Sequence, residues 1–327
     1  MKVFITGASG FIGGNLVRRL VEKGYRVKAL VRPGSKISTA LVNEVEIVEG
    51  DILDFDTVLR GVSECGWVFH CAAAYKFWAR DPRDIYKTNV NGTDNVLVAA
   101  HLAGVERIVY TSTVGTIGLP KVGLGNETTP LPPHQVVGNY KRSKYLAEKI
   151  VLKKATAGIP VVVVNPTAPV GAWDVKPTPT GKVILDFLKQ KMPAYVHTGL
   201  NFVDVSDVAE GHILAAIKGT IGERYILGNQ NMSLLELFEN LQELSGRKRP
   251  RLHIPNWIAM GVGQVDDLLE NKILRREPKI PLEGIKMAQI CTYVSSQKAV
   301  DQLGFPQSPV NEALNQAIQW FRDKGYY

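Results

Sequence analysis

"KVFITGASGFIGG", residues 2–14, decides the fold. Its first five residues form a short apolar run of the kind that makes a strand buried on both faces. Gly7, Gly10 and Gly13 follow at three-residue intervals, and from Phe11 and Ile12 onward the apolar residues recur with a helical period. Glycines at such a strand-to-helix turn allow a tight bend. They also let the backbone approach a pyrophosphate seated on the helix N-terminus. The Gly-Lys-Ser/Thr ending of a nucleoside-triphosphatase loop is absent.

The pattern then repeats. "RVKALV" (26–31), "VEIVEG" (45–50), "WVFHCA" (67–72), "RIVYTS" (107–112) and "VVVVN" (161–165) read as further buried strands, separated by segments with helical spacing. This alternation predicts a Rossmann-type α/β fold, a doubly wound parallel sheet, over residues 1–169. A smaller mixed α/β substrate domain is expected from 170–201 and 229–327, with parts of 202–228 rejoining the first domain. Two irregular stretches, 118–139 and 170–182, are long enough to carry function.

Composition narrows the class. Among 327 residues, 45% hydrophobic and 21% charged content is ordinary for a globular protein, and a formal charge of +8 suits an anionic cofactor without requiring one. The basic run "RKRPR" (247–251) lacks interleaved aromatics and reads as a solvated turn, so no nucleic-acid partner is expected. Cys65, Cys71 and Cys291 are scattered without metal-ligand spacing, so no metal is expected, and their odd number suits a reducing compartment. No leader-like or membrane-spanning run is evident, and a cytoplasmic location is expected.

Arg32 closes the second strand where an Asp or Glu would bind the ribose 2′-hydroxyl of NAD. An Arg there accommodates the 2′-phosphate of NADP, with Ser35 and Lys36 adding a hydroxyl and a charge. Asp51 and Ile52, after the third strand, are placed to flank the adenine; capping a helix is the other reading of Asp51. In "NYKRSKYLAEK" (139–149), Tyr140 and Lys144 stand four apart on one helical face. A cation a few Å from a phenol lowers the phenol's usual pKa of about 10 and fits it for proton exchange with a carbonyl or carbinol.

These stretches, with "CAAA" (71–74), "NVNGT" (89–93), "YTSTVGTIG" (110–118), "NPT" (165–167) and "FVDVSDVA" (202–209), resemble the extended short-chain dehydrogenase/reductases along nearly the whole chain. Within that superfamily the likeness is to the dihydroflavonol-4-reductase-like group. Closer still is a resemblance to the bacterial hopanoid-associated sugar epimerases, carried by "AAAYKFWARDP", "YKRSK" and "KPTPTGK". The resemblance implies Tyr140 as acid/base, Lys144 as the ribose-binding cation, Thr113 rather than Ser112 as the catalytic hydroxyl, and Asn89 as the residue that orders the site. It also implies that Ala72, Ala73, Ala74, Thr111, Pro166 and Thr167 line the cofactor.

"NPTAPVGAWD" departs from the text of nucleotide-sugar epimerases after strand 6 and is nearer the reductases. The expected function is therefore NADP(H)-dependent reduction of a ketone or aldehyde, or oxidation of a secondary alcohol. NAD(H) is the second choice of cofactor. A sugar epimerase or dehydratase is the enzymatic alternative, and a non-catalytic dinucleotide sensor the other class. Tyr75, Phe77, Trp78, Trp173 and Tyr195 are expected to rim an apolar substrate pocket, core packing being an equal explanation for each. A homodimer is a further expectation.

Overall fold

A computed structural model describes residues 1–35, 44–76, 78–273, 276, 278 and 282–327. Seven parallel strands form the main sheet: β1 (Lys2–Thr6), β2 (Arg26–Val31), β3 (Val45–Glu49), β4 (Trp67–His70), β5 (Arg107–Thr111), β6 (Val161–Pro166) and β10 (Arg224–Leu227). Their spatial order is β10-β6-β5-β4-β1-β2-β3. Ile5 of β1 lies between Ala29 of β2 and Phe69 of β4. All three are buried, as the continuous apolar runs require.

Helices cover both faces. On one side α1 (Phe11–Glu22), α7 (Val205–Lys218) and α11 (Gln297–Leu303) bury Leu16, Leu20, Ile213 and Leu303 against the sheet. On the other, α2 (Phe55–Val62), α4 (Gly92–Leu102) and α5 (Asn139–Thr156) bury Val58, Leu97 and Val151. The strand order reverses between β1 and β4, so the crevice where such sheets bind ligands opens beyond Thr6 and His70.

The smaller lobe is built on a second sheet of β7 (Ala168–Val170), β9 (Gly199–Asp204) and β11 (Gln230–Ser233), ordered β11-β9-β7. "NFVDV" therefore stays in this sheet, whereas α7 and β10 return to the large one. The helices α6 (Pro179–Leu188), α8 (Leu234–Ser245) and α12 (Val310–Asp323) pack Phe187, Phe238 and Phe321 together beneath it. A two-stranded pair, β8 (Ala194–Tyr195) and β12 (Leu252–His253), lies apart from that sheet. The short α3 (Arg83–Tyr86) precedes α4, while α9 (Asn256–Asp266), a π-turn (Asp267–Ile273) and α10 (Leu282–Met287) complete the fold.

The long stretch 118–139 is tied down rather than loose. Glu127, itself buried, accepts a hydrogen bond from the Ile226 amide at 2.8 Å, and Gly125 bridges to Val294. The stretch thus arrives at α5 held by the edge of the main sheet.

Candidate active site

Helix α5 begins just after Gly138, whose φ of +85° is left-handed. No side chain of its own caps the helix, and its first turn holds no acidic residue. The missing cap comes from a segment distant in the sequence. Glu283 on α10 accepts from the Asn139 amide at 3.2 Å, and a Cβ at residue 138 would overlap its carboxylate. The second carboxylate oxygen, Oε1, is buried and meets no partner among the described residues. Burial pushes Glu283 up to about 7, against the pull of the Asn139 and Tyr140 amides.

Tyr140 and Lys144 are both buried. The Lys144 ammonium donates to the Tyr110 hydroxyl at 2.8 Å and to the Thr111 carbonyl at 2.7 Å, and burial lowers it to about 7. Burial, and then the neighbouring Tyr75, hold the Tyr140 phenol well above its ordinary value; a hydrogen bond with Thr113 works the other way. This reverses the expected tuning of the phenol toward neutrality. In the protein alone, desolvation outweighs the nearby cation, whose hydrogen bonds go to β5.

Thr113 stands at the start of a short 3₁₀ turn, its Oγ1 accepting from the Gly115 amide at 3.1 Å. It is thereby oriented toward Tyr140. Ser112 Oγ is buried and meets no partner among the described residues.

Asn89 lies in a π-turn, Lys87–Asn91, that joins α3 to α4 and is 1% exposed. One extra residue in a helical turn re-aims a side chain. Here Asn89 Oδ1 accepts from the Ala74 amide at 2.7 Å, and its Nδ2 donates to Ser143 Oγ at 2.8 Å. Ser143 in turn donates to the Tyr140 carbonyl at 2.7 Å. The strand-4 loop and the start of α5 are thus joined through one side chain.

The turn after β1 fits a dinucleotide pyrophosphate. Gly7 has φ +79°, and a Cβ there would come within 2.6 Å of the Ala72 amide; one at Gly13 would overlap the Gly7 carbonyl. Gly10 precedes α1 with no side-chain cap and no acidic residue in the first turn, leaving the amides near Phe11 and Ile12 free to receive an anion. Ala72 borders the same turn, and its amide donates to Thr6 Oγ1 at 3.2 Å. Thr111 Oγ1 is paired with His212 at 2.9 Å, so it is Thr111's carbonyl, not its hydroxyl, that serves Lys144. Pro166 ends β6, and Thr167 is bound to the Leu227 carbonyl of β10.

Arg32 is exposed immediately beyond β2, in a turn closed by the Ser35 amide on its carbonyl at 2.9 Å. Lys36 and Phe77 lie outside the described residues. Asp51 accepts from the Leu53 amide, and the N-cap of α2 is Asp54, so the capping alternative for Asp51 does not hold. The Ile52 side chain is buried in the core against Gly92, and its carbonyl accepts from Asn95 Nδ2 at 3.0 Å.

The aromatic residues separate into two groups. The Tyr75 ring stands 4.5 Å from that of Tyr140. Trp78 donates to Asn271 at 2.9 Å across a cleft of about 290 Å³ bordered by Arg80, Asn139, Leu282 and Glu283. Trp173, at φ +75°, lies under the Arg18 guanidinium and 6.4 Å from Trp320, and Tyr195 packs on Phe238. The last two serve the packing of the small lobe and its seam with α1, the alternative weighed from the sequence. Sequence reasoning missed Glu283 and also Asp174, whose buried carboxylate binds Thr178 and is pushed up to about 6 by burial.

A family model described as the NAD dependent epimerase/dehydratase family matches residues 3–228. The chain belongs to that family. It is an NAD(P)-dependent enzyme of the extended short-chain dehydrogenase/reductase type. A Synechocystis sp. protein that carries the provisional name dihydroflavonol 4-reductase is 44% identical, over 99% of this chain and 95% of that protein. The "Sterol demethylase protein B" of Methylococcus capsulatus is 33% identical over 99% of both. Among solved structures, that of gox2253 is 42% identical with a TM-score of 0.87, covering 99% of this chain and 98% of that one. A nucleoside-diphosphate-sugar epimerase from Pseudomonas aeruginosa is 25% identical with a TM-score of 0.84, covering 100% and 99%.

Proposed function

We propose that the protein is an NADPH-dependent reductase of ketones or aldehydes carried on a sizeable apolar body. The observation that carries this reading is the buried Tyr140 phenol, 4.5 Å from the Tyr75 ring, with the Thr113 hydroxyl acting on it. A bound nicotinamide would supply the hydride to the substrate carbon. Thr113 hydrogen-bonds the carbonyl oxygen as negative charge develops on it, and Tyr140 gives that oxygen its proton. Asn89, through Ser143, holds the Tyr140 backbone in place, and Lys144 would meet the ribose hydroxyls.

The apolar substrate rests on Tyr75 beside Tyr140, on Trp78 in the cleft beside Asn139, and on the sterol named for the Methylococcus relative. NADPH rests on Arg32 where an acidic residue would select NAD. The Pseudomonas structure favours a second reading, a sugar epimerase that returns the hydride within one cycle.

The test is cofactor content and stoichiometry. A reductase purifies largely free of nucleotide and oxidises one NADPH per ketone reduced. Retained cofactor, with deuterium exchange at a sugar carbon and no net NADPH oxidation, would establish the epimerase instead.

A further inference from the structure

Helix α9 and the π-turn after it carry their apolar residues on the outside. Trp257 is 74% exposed, Val262 49%, Val265 57%, and Leu268 and Leu269 50% each. With Gly261 and Gln264, also exposed, they fall on one helical face with no charged residue among the described side chains. The acidic residues of the segment, Asp266, Asp267 and Glu270, are half-buried on the other side, and Asp267 and Asn271 border the cleft beside Asn139. An ordinary surface helix is arranged the other way round, and an apolar patch of this kind marks an interaction surface.

Cationic side chains flank the segment. Arg247, Lys248, Arg249 and Arg251 precede it, and the exposed Arg276 follows. Lys248, Arg249 and Arg251 also border a cleft of about 220 Å³, and next to it Leu252 is 60% exposed. An apolar face bracketed by cations matches a bilayer bearing anionic headgroups: the face enters the acyl boundary while the cations meet phosphates. A second copy of the chain would bring like charges together. A purely apolar protein partner would leave the cations unmatched.

We propose that the outer face of α9 and its π-turn docks on an anionic lipid surface. The inner face of the same segment borders the cleft beside Asn139, so a membrane-dissolved substrate enters there without crossing water. That last step rests on the reductase reading, whereas the docking does not.

The test is co-sedimentation of the full chain with sucrose-loaded vesicles of phosphatidylcholine alone or mixed with phosphatidylglycerol. NADPH turnover of a water-soluble ketone is followed in parallel. The protein should pellet with the mixed vesicles, and about tenfold less with neutral vesicles or in high salt. Leu268→Ser/Leu269→Ser should weaken pelleting by about the same factor, since it removes two of the inserted side chains. Arg247→Glu/Lys248→Glu should abolish the preference for anionic lipid. None of these residues belongs to the catalytic machinery, so soluble turnover stays unchanged in the variants. Failure to pellet overturns the docking, as does equal pelleting of variants and wild type. So does a solution dimer that Leu268→Ser/Leu269→Ser dissociates, because the face would then belong to a second copy. Pelleting without turnover on any ketone leaves docking intact and removes the reductase reading alone.

Discussion

The Glu283 carboxylate accepts a hydrogen bond from the Asn139 amide at 3.2 Å, so the first turn of the helix that carries Tyr140 and Lys144 is capped by a residue 144 positions further along the chain. A cap of this kind typically contributes about 1 kcal/mol. Burial raises Glu283 to about 7, above its ordinary 4.5. A group raised on folding stabilises fully below its unfolded value and loses that contribution as pH rises through its folded value. Glu283→Gln keeps the acceptor and cannot ionise. The melting temperature of the wild type should therefore fall relative to Glu283→Gln between pH 5 and 8, as read by scanning calorimetry. A difference that does not vary with pH refutes this assignment.

Tyr140→Phe keeps the ring against Tyr75 and removes the proton donor. Turnover should fall to under a few per cent, while NADPH titrated by fluorescence binds as before. Activity near that of the wild type would show that another group delivers the proton.

Thr113 and Ser112 can be told apart. Thr113→Val preserves shape and deletes the hydroxyl that meets Tyr140, and loss of one such donor costs about 100- to 1,000-fold in kcat. Ser112→Ala removes a hydroxyl that has no partner among the described residues, and kcat should change little. The opposite ranking in steady-state kinetics would move the catalytic hydroxyl one residue back.

Arg32 is free of the core, so its replacement tests selectivity without threatening the fold. A guanidinium pairs with a 2′-phosphate by charge-assisted hydrogen bonds, and a carboxylate repels it. The wild type should bind NADPH more tightly than NADH in calorimetric titrations, and Arg32→Asp should remove or invert that order. Equal affinities in the wild type would contradict the assignment.

The large sheet was legible because strands buried on both faces leave uninterrupted Val, Ile and Phe runs, and because the Gly7–Gly13 turn has a mechanical reason for each glycine. Tyr140 and Lys144 were legible for a similar reason: helical spacing fixes their common face. Glu283 was not, since its partner Asn139 lies 144 residues away and only the lack of a cap on α5 hinted at it. The π-turn at Asn89 was not legible either, because the four residues of α3 before it are too few to show that one extra residue shifts the apolar register. Trp173 and Tyr195 show the limit for aromatics: a large ring in a loop must bury itself, and the sequence does not say against what. The height of the Tyr140 pKa was hidden too, because it depends on how completely the lobes exclude water.

The place of β10 governs how this chain is made. A nascent chain that has delivered β6 has no partner for that strand's outer edge until the residues up to 227 have emerged, and all of β7, β9 and α7 come first. Until then Val161–Val164 offers an open apolar strand, the kind of edge that recruits other chains. Glu148 is likewise buried without Arg224, which reaches it at 3.1 Å only from β10. A truncation near residue 170 should therefore aggregate rather than yield a free dinucleotide-binding module, and the chain should depend on chaperones during synthesis more than its simple parallel topology would suggest.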